Sequence, residues 1–197
     1  MYTEKGQQTK EHFIRISADL FNKKGYAGTA ISDILDTAGY SKGALYRIFK
    51  DKDEIAVEAF KYNLGIMYTQ LQDAIAVAEK DVDKILAIPR FYKNIDGKKF
   101  VQGGCPILNT AIEADDTHPQ LNHLASNAFV RMSGLIEETL TRAKGNKSIT
   151  ETIDPKIVAQ YMVATIEGSI AMMKSIGKKD IMKNNMIYLE KTILQQL

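Results

Sequence analysis

Residues 29–52, TAISDILDTAGYSKGALYRIFKDK, constrain the fold of this chain more than any other stretch. Apolar residues recur at i, i+3, i+4 and i+7, the spacing of a helix that buries one face, at Ile31, Ile34, Leu35 and Ala38. Thr29 is expected to cap the start of this helix with its hydroxyl. Gly39 is expected to end it, because the residue after a helix often adopts a left-handed conformation.

A second short helix follows the turn, and Ser41 is expected to open it. Its inward face is predicted to hold Leu45, Ile48 and Phe49. Its outward face then carries one small residue, one phenol and two cations, at Gly43, Tyr46, Arg47 and Lys50. A helix-turn-helix places its second helix in the major groove of DNA with this kind of surface outward. The same pattern also fits an ordinary helical hairpin with a solvated basic edge.

A longer ordered set of residues favours DNA binding over the plain hairpin. The set comprises Ala18, Leu20, Phe21, Gly25, Tyr26, Thr29, Ile34, Ala38, Gly39, Ser41, Lys42, Gly43, Leu45, Tyr46, Phe49 and Lys52. On these residues the segment from Phe13 to Lys52 resembles the DNA-binding domain of the TetR family of bacterial repressors. The segment departs from the usual family pattern at Tyr40 and at Arg47-Ile48, which bears on the DNA sequence that it reads.

The resemblance and the outward face together predict a set of DNA-binding residues. Gly43 would let the helix approach the bases, with Lys42 beside it, and Tyr46, Arg47 and Lys52 would bond phosphate oxygens. The full predicted set is Thr29, Ser41, Lys42, Gly43, Tyr46, Arg47, Lys50 and Lys52.

Charge is balanced over most of the chain, so DNA affinity must depend on a local cluster. The formal net charge is +2, and the first sixty residues contain nine Lys or Arg and nine Asp or Glu. Between residues 42 and 52, four cations against Asp51 leave a local charge of +3. Phosphate binding responds to this local field rather than to the net charge.

The composition indicates an all-α chain of about nine helices. It has 197 residues, 45% hydrophobic and 25% charged, with four prolines. We expect a three-helix DNA-binding domain at residues 1–60 and a helical ligand-binding and dimerisation domain at residues 61–197. The boundary would fall inside a long helix that links the two.

A cytoplasmic, nucleoid-associated protein is expected from three further observations. The single cysteine, Cys105, excludes an internal disulfide. The polar N-terminus, MYTEKGQQTK, is unlike a signal peptide. The chain also lacks an apolar run long enough to span a membrane.

The stretches GGCPILNTAIEADDTHPQL and IEGSIAMM resemble the body of one subset of the TetR family. The resemblance implies a small-molecule effector site and a homodimer formed through the last two helices. Such a dimer would bind a palindromic double-stranded operator, because two-fold symmetry pairs two reading heads with two half-sites.

An apolar or aromatic effector is expected, because aromatic and methionine side chains typically line such pockets. The candidate lining residues are Met67, Tyr68, Phe91, Tyr92, Phe129, Met132, Tyr161 and Met172.

A thiol-switch repressor acting through Cys105 is the alternative within this class. The cysteine would open a short helix near Lys98 and Lys99, a setting that favours the thiolate form.

Other functional classes find little support in the sequence. Five acids and histidines cluster in one stretch, at Glu113, Asp115, Asp116, His118 and His123. The two histidines are five residues apart, which does not place them on one helical face as zinc ligands, so no metal is expected. No phosphate loop, nucleophile elbow or zinc-protease pair is present, and no cofactor is expected. A helical enzyme with dispersed catalytic residues is the alternative from another class.

Overall fold

A computed structural model of the chain describes residues 4–95 and 101–196, with the side chain of residue 196 left out, and this part is all helical. Lys98 and Lys99 therefore lie outside the described residues. The helices are α1 Glu4–Lys24, α2 Ile31–Ala38, α3 Lys42–Tyr46, α4 Lys52–Ala76, α5 Asp81–Lys93, α6 Pro106–Ala114, α7 Pro119–Gly145, α8 Pro155–Ile176 and α9 Asp180–Gln196. The predicted all-α class is confirmed, and α1 begins at Glu4.

The chain divides into two compact units. The first comprises Met1–Ile66 and Val101–Ser126, and the second comprises Met67–Phe100 and Asn127–Leu197. Helices α4 and α7 contribute residues to both. Helix α6 belongs to the same unit as α1–α3, whereas the sequence analysis assigned it to the second domain.

The first three helices are organised around one apolar core. Phe13 of α1, Ile34 of α2 and Leu45 of α3 have no exposed surface, and Phe49 and Ile55 complete the cluster with Ala38. Helices of eight and five residues are too short to be stable alone in water. Their stability therefore depends on burying these inward faces against α1.

The turn between α2 and α3 follows the predicted cap chemistry. Gly39 is left-handed with φ 70°, and its N–H donates to Leu35 O at 2.9 Å. Ser41 Oγ accepts a hydrogen bond from the N–H of Ala44 at 3.3 Å and so opens α3. These two caps set where the first short helix ends and the second begins.

The predicted cap at Thr29 is wrong, because Ala30 occupies the cap position of α2. Thr29 is fully buried and its hydroxyl donates to Gly25 O at 2.7 Å, within the preceding loop. The start of α2 is instead satisfied by Asp33, whose Oδ2 accepts from the Ala30 N–H at 3.1 Å.

In the second unit, ionic contacts tie α5 to α9. Glu190 accepts from Lys93 at 2.6 Å and from Arg90 at 3.3 Å. Pro89 lies within α5 without ending it. Asp154 caps α8 by accepting from the N–H groups of Lys156 and Ile157.

None of the described helices is long and apolar enough to cross a bilayer. No group of three His, Cys, Asp or Glu side chains in residues 4–95 and 101–196 is arranged to hold a metal ion.

The cap at Asp33 predicts a pH-dependent loss of stability. The hydrogen bond from Ala30, and then that from Lys24, lowers the pKa of Asp33 below its ordinary value of 3.8. Because the folded-state pKa is depressed, this stabilisation is present above about pH 3.8 and is lost as the pH falls through the folded value. The Asp33→Asn variant should therefore melt below wild type at pH 7, and the difference should shrink on acidification. Thermal unfolding from pH 7 to pH 2 measures this difference in melting temperature, with Asp36→Asn on the same helix as the control variant. A difference that stays constant with pH would contradict the prediction.

Candidate nucleic-acid interface

Helix α3 presents two opposite faces of different character. Leu45 is fully buried, whereas Tyr46 is 43% exposed on the other side. The remaining outward positions, Ser41, Lys42, Gly43 and Arg47, are also exposed. The structure therefore brings five of the eight predicted DNA-binding residues together on one exposed surface.

Gly43 is not required by the packing of the protein itself. A Cβ atom built at this position meets no other atom within 4 Å, and the residue has no left-handed φ. A helix generally disfavours glycine relative to alanine by about 1 kcal/mol. The glycine thus costs stability at a place where the free protein has room for a side chain.

The cations next to α3 differ in how they are held. Lys42 Nζ lies 5.9 Å from the centroid of the Tyr46 ring. Lys50 Nζ lies 3.8 Å from Asp51 Oδ2, and its side chain is 88% exposed. Exposed pairs of this kind contribute only about 0–1 kcal/mol, so Lys50 can exchange this partner for another anion at little cost.

Lys52, the first residue of α4, is held much more closely. Its Nζ donates to the carbonyl oxygen of Tyr26 at 2.6 Å and lies 4.1 Å from the centroid of the same residue's ring. Both contacts come from one residue, 26 positions earlier in the chain. The sequence analysis placed Tyr26 in the family pattern but did not connect it with Lys52.

Tyr26 is in turn bonded to a carboxylate. Its hydroxyl donates to Asp53 Oδ1. Burial, and then the hydrogen bond and charge of Asp53, raises the pKa of Tyr26 to about 12. The phenol is therefore neutral at physiological pH. Its hydrogen bond occupies the carboxylate of Asp53, the residue that follows Lys52 in the chain.

Thr29 does not belong to the exposed surface. Its side chain is fully buried and bonded to Gly25 O, so the structure does not support its prediction as a DNA contact. Tyr40, which was noted only as a departure from the family pattern, is 41% exposed immediately before Ser41. Its ring packs on Phe13 with centroids 5.2 Å apart and on His12 at 5.8 Å.

The eight predicted pocket residues do not form one site. Met67, Tyr68, Tyr92 and Met132 are buried in the core of the second unit, and Phe91 and Phe129 are half-buried. Tyr161 and Met172, also candidates for lining an effector pocket, are 45% and 49% exposed in the single chain. Helical periodicity identified these two as apolar positions but could not show which neighbour, if any, covers them.

The second unit does contain an open cleft of about 670 Å³ between the end of α4 and α5. Of the predicted residues, only Phe91 lines it. The other lining residues are Ala74, Val77, Ala78, Glu79, Lys80, Asp83, Ala87, Arg90, Asn94 and Ile95. The cleft is thus lined by apolar side chains together with several charged ones. This composition suits a small amphipathic molecule.

Cys105 precedes α6 and is 1% exposed. Its position at the start of a short helix agrees with the sequence analysis. Its burial limits access of oxidants, and thiol reactivity depends on exposure as well as on the thiolate fraction.

Two of the five residues considered as metal ligands, Glu113 and His118, have other partners. Glu113 on α6 accepts from the backbone N–H of Tyr26 at 2.8 Å and from that of Ala27 at 2.9 Å. His118 Nδ1 accepts from the N–H of Leu121 at 3.2 Å, at the start of α7. His118 Nε2 lies 3.6 Å from Asp53 Oδ1.

A capped pair of short helices, with a buried inner face and an exposed basic outer face, defines a helix-turn-helix protein of the DNA-binding class. Sequence comparison supports this class directly. Residues 14–59 match the family described as "Bacterial regulatory proteins, tetR family", and residues 82–189 match "Tetracyclin repressor-like, C-terminal domain". The chain belongs to the TetR family, and it is a DNA-binding transcriptional regulator rather than an enzyme.

Relatives and solved structures agree with this assignment. A TetR transcriptional regulator from Chloroflexus aurantiacus J-10-FL is 32% identical, covers 98% of each chain and superposes with a TM-score of 0.93. The transcriptional repressor NemR from Escherichia coli K12 is 21% identical over 94% of each chain. The regulator CifR, solved with 26-bp double-strand operator DNA, is 15% identical, covers 92% of this chain and 94% of its own, and has a TM-score of 0.82.

Proposed function

We propose that the protein is a repressor that binds a palindromic operator as a homodimer and is released by a small molecule. The observation that carries the DNA-binding part is the exposed outer face of α3, whose inner face is fully buried at Leu45. Because α3 is fixed from behind by the core, its outward side chains can enter a major groove as one rigid surface.

Each exposed residue has a distinct role in this proposal. Gly43 and Lys42 border the bases near the start of α3, where helix-turn-helix proteins read base edges. Tyr46, Arg47 and Lys52 bond phosphate oxygens, and Ser41 and Lys50 flank them. Phosphate contacts fix the register of the protein on the duplex, whereas base contacts supply the specificity.

A homodimer through α8 and α9 is supported by an exposed stripe on α8. Residues on this stripe share one helical face and are apolar or small: Ile157, Tyr161, Ala164, Gly168, Ala171, Met172 and Ile176. On α9, Tyr188 is 69% exposed and Leu194 is 52% exposed. Contiguous apolar surface of this kind is typical of an interface, and small residues permit close approach of a partner helix.

The effector is proposed to bind in the second unit, in the cleft that Phe91 lines. The cleft combines apolar residues of α4 and α5 with Arg90 and Lys80. An apolar or aromatic compound fits this wall. Such a compound lowers operator affinity only to the extent that it binds the DNA-free conformation more tightly than the DNA-bound one. Release of the operator through oxidation of Cys105 stays a prediction of the sequence. The burial of this thiol favours release by a ligand over release by an oxidant.

Substitution of Gly43 by alanine tests the proposed recognition surface. A methyl group fits the free protein, so unfolding temperature should be unchanged or raised. At a close DNA interface the same methyl overpacks by roughly 1–3 kcal/mol, which lowers affinity at least about fivefold. Fluorescence anisotropy measures the two affinities. The duplex is one that the wild-type protein selects from a random-sequence library.

The matched control for this test is Gly65→Ala on α4, where a Cβ also meets nothing within 4 Å. This variant should bind the selected duplex like wild type. Wild-type affinity of Gly43→Ala for the same duplex would remove α3 from the DNA interface.

Substitution of Gly168 by arginine tests the proposed dimer. The single chain has open space at this position, so the variant should fold. In a dimer that packs along the α8 stripe, the arginine would separate the two helices. Sedimentation should then show wild type at twice the chain mass of 22.0 kDa and the variant at that mass. Gly145→Arg, also in open space, should sediment as wild type, and a dimeric Gly168→Arg variant would rule out this interface.

A further inference from the structure

Lys52 is held by Tyr26, which lies in the loop between α1 and α2. The Lys52 ammonium donates to Tyr26 O at 2.6 Å and lies 4.1 Å from the Tyr26 ring centroid. The carbonyl and the ring of Tyr26 therefore both hold the ammonium group. An ammonium group has three donors, which leaves others for a phosphate oxygen. A lysine held in this way has less rotamer freedom left to lose when it binds DNA.

The ring of Tyr26 is fixed by three neighbours. Phe21 stacks on it, with ring centroids 6.0 Å apart and planes 15° apart. His118 meets it edge-on at 4.8 Å, and Asp53 accepts the hydrogen bond of its hydroxyl. His118 Nδ1 accepts from Leu121 N–H at the start of α7, so this neighbour is itself anchored.

The backbone of Tyr26 is fixed by a carboxylate from another helix. Glu113 of α6 accepts from Tyr26 N–H at 2.8 Å with Oε2 and from Ala27 N–H at 2.9 Å with Oε1. Hydrogen bonds to an ionised group are about twice as strong as neutral ones. Gly25 permits the approach, because a Cβ atom there would lie 2.6 Å from both carboxylate oxygens.

The same part of α6 and its preceding turn hold the end of α1. Asn22 Nδ2 donates to Gln102 O at 2.6 Å and to Gly104 O at 2.9 Å. Asn109 Nδ2 lies 3.0 Å from Asn22 Oδ1 and 3.1 Å from Asn22 O. The loop that carries Tyr26 is therefore bound by Glu113 at Tyr26 and Ala27, and the end of α1 that precedes it is bound by residues 102–109.

We propose that Tyr26 is a positioning residue for DNA binding, which sets Lys52 for its phosphate and is itself held in place by Glu113. This rests on the proposed phosphate contact of Lys52. Glu113 then influences DNA affinity without touching DNA, because its carboxylate orders Tyr26 and Tyr26 orders the lysine. A movement of α6 that withdraws this carboxylate loosens one phosphate contact.

A double-mutant cycle between Glu113 and Lys52 tests the proposal. Glu113→Gln keeps the shape of the side chain but presents an amide N–H₂ to a backbone N–H. Operator affinity would be measured for Glu113→Gln, Lys52→Ala and the double variant, on a duplex that the wild-type protein selects from random-sequence DNA. The control cycle pairs Glu113→Gln with Lys42→Ala, because Lys42 contacts Tyr46 rather than Tyr26.

The expected result is selective coupling. Glu113→Gln should weaken binding about three- to tenfold in wild type and in the Lys42→Ala background, and much less when Lys52 is already alanine. Lys52→Ala should lower the salt dependence of binding by about one unit of slope. Equal losses in the Lys42→Ala and Lys52→Ala backgrounds, or no loss from Glu113→Gln, would overturn the role of Tyr26 while leaving the phosphate contact in place. An unchanged slope for Lys52→Ala would overturn both.

A second pair of variants keeps the test independent of Glu113. Tyr26→Phe retains the ring and the carbonyl but releases the Asp53 carboxylate, so it should weaken DNA binding, and by less than Tyr26→Leu does. Tyr26→Leu removes the ring and should approach the affinity and salt slope of Lys52→Ala. If Tyr26→Leu is folded, as its circular dichroism would report, and binds like wild type, Tyr26 does not position the lysine.

Discussion

The burial of Phe13, Ile34, Leu45 and Phe49 in one cluster is the interaction on which the DNA-binding surface depends. Helix α3 has five residues, fewer than two turns, and it has no independent stability. It is helical because Leu45 is buried from behind and Ser41 caps it in front. Removing that core would leave the outward residues of α3 without a defined arrangement.

Electrostatics then decides how this surface can bind a polyanion. With a net charge of +2 the chain has no general attraction for DNA, so a few cations must be well placed. The acidic residues among them are occupied: Asp53 accepts from Tyr26, and Asp51 caps α4 through the N–H of Glu54 at 2.9 Å. Pairing inside the protein thereby limits the repulsion that these carboxylates would exert on phosphates.

Much of the fold follows from local rules that act over a few residues. Periodicity located α2 and α3, Gly39 marked the end of α2, and Ser41 marked the start of α3. Thr29 shows the limit of such rules, since a hydroxyl next to a helix start can bond backward to Gly25 as readily as forward. Helix formation is a local matter, whereas packing decides whether a hydroxyl accepts from a helix N–H or donates to a nearby carbonyl oxygen.

The candidate site was less predictable because its supports are distant in sequence. Lys52 and Tyr26 are separated by 26 residues, and Glu113 reaches Tyr26 across 87. A single sequence carries no signal for such pairs, so it predicted a phosphate contact at Lys52 but not the residues that hold this lysine. Tyr161 and Met172 illustrate the same limit in the second unit, where an apolar stripe faces outward and its predicted cover is another chain.

The most direct measurement is the affinity of the wild-type protein for a duplex selected from random-sequence DNA, against a scrambled duplex of equal composition, at several salt concentrations. If α3 is a recognition helix, the selected duplex should be palindromic, bind protomers in pairs and exceed the scrambled one by on the order of 10³-fold. Affinity for both should fall as salt rises. Equal affinity for the two duplexes at every salt concentration would contradict sequence reading by this surface.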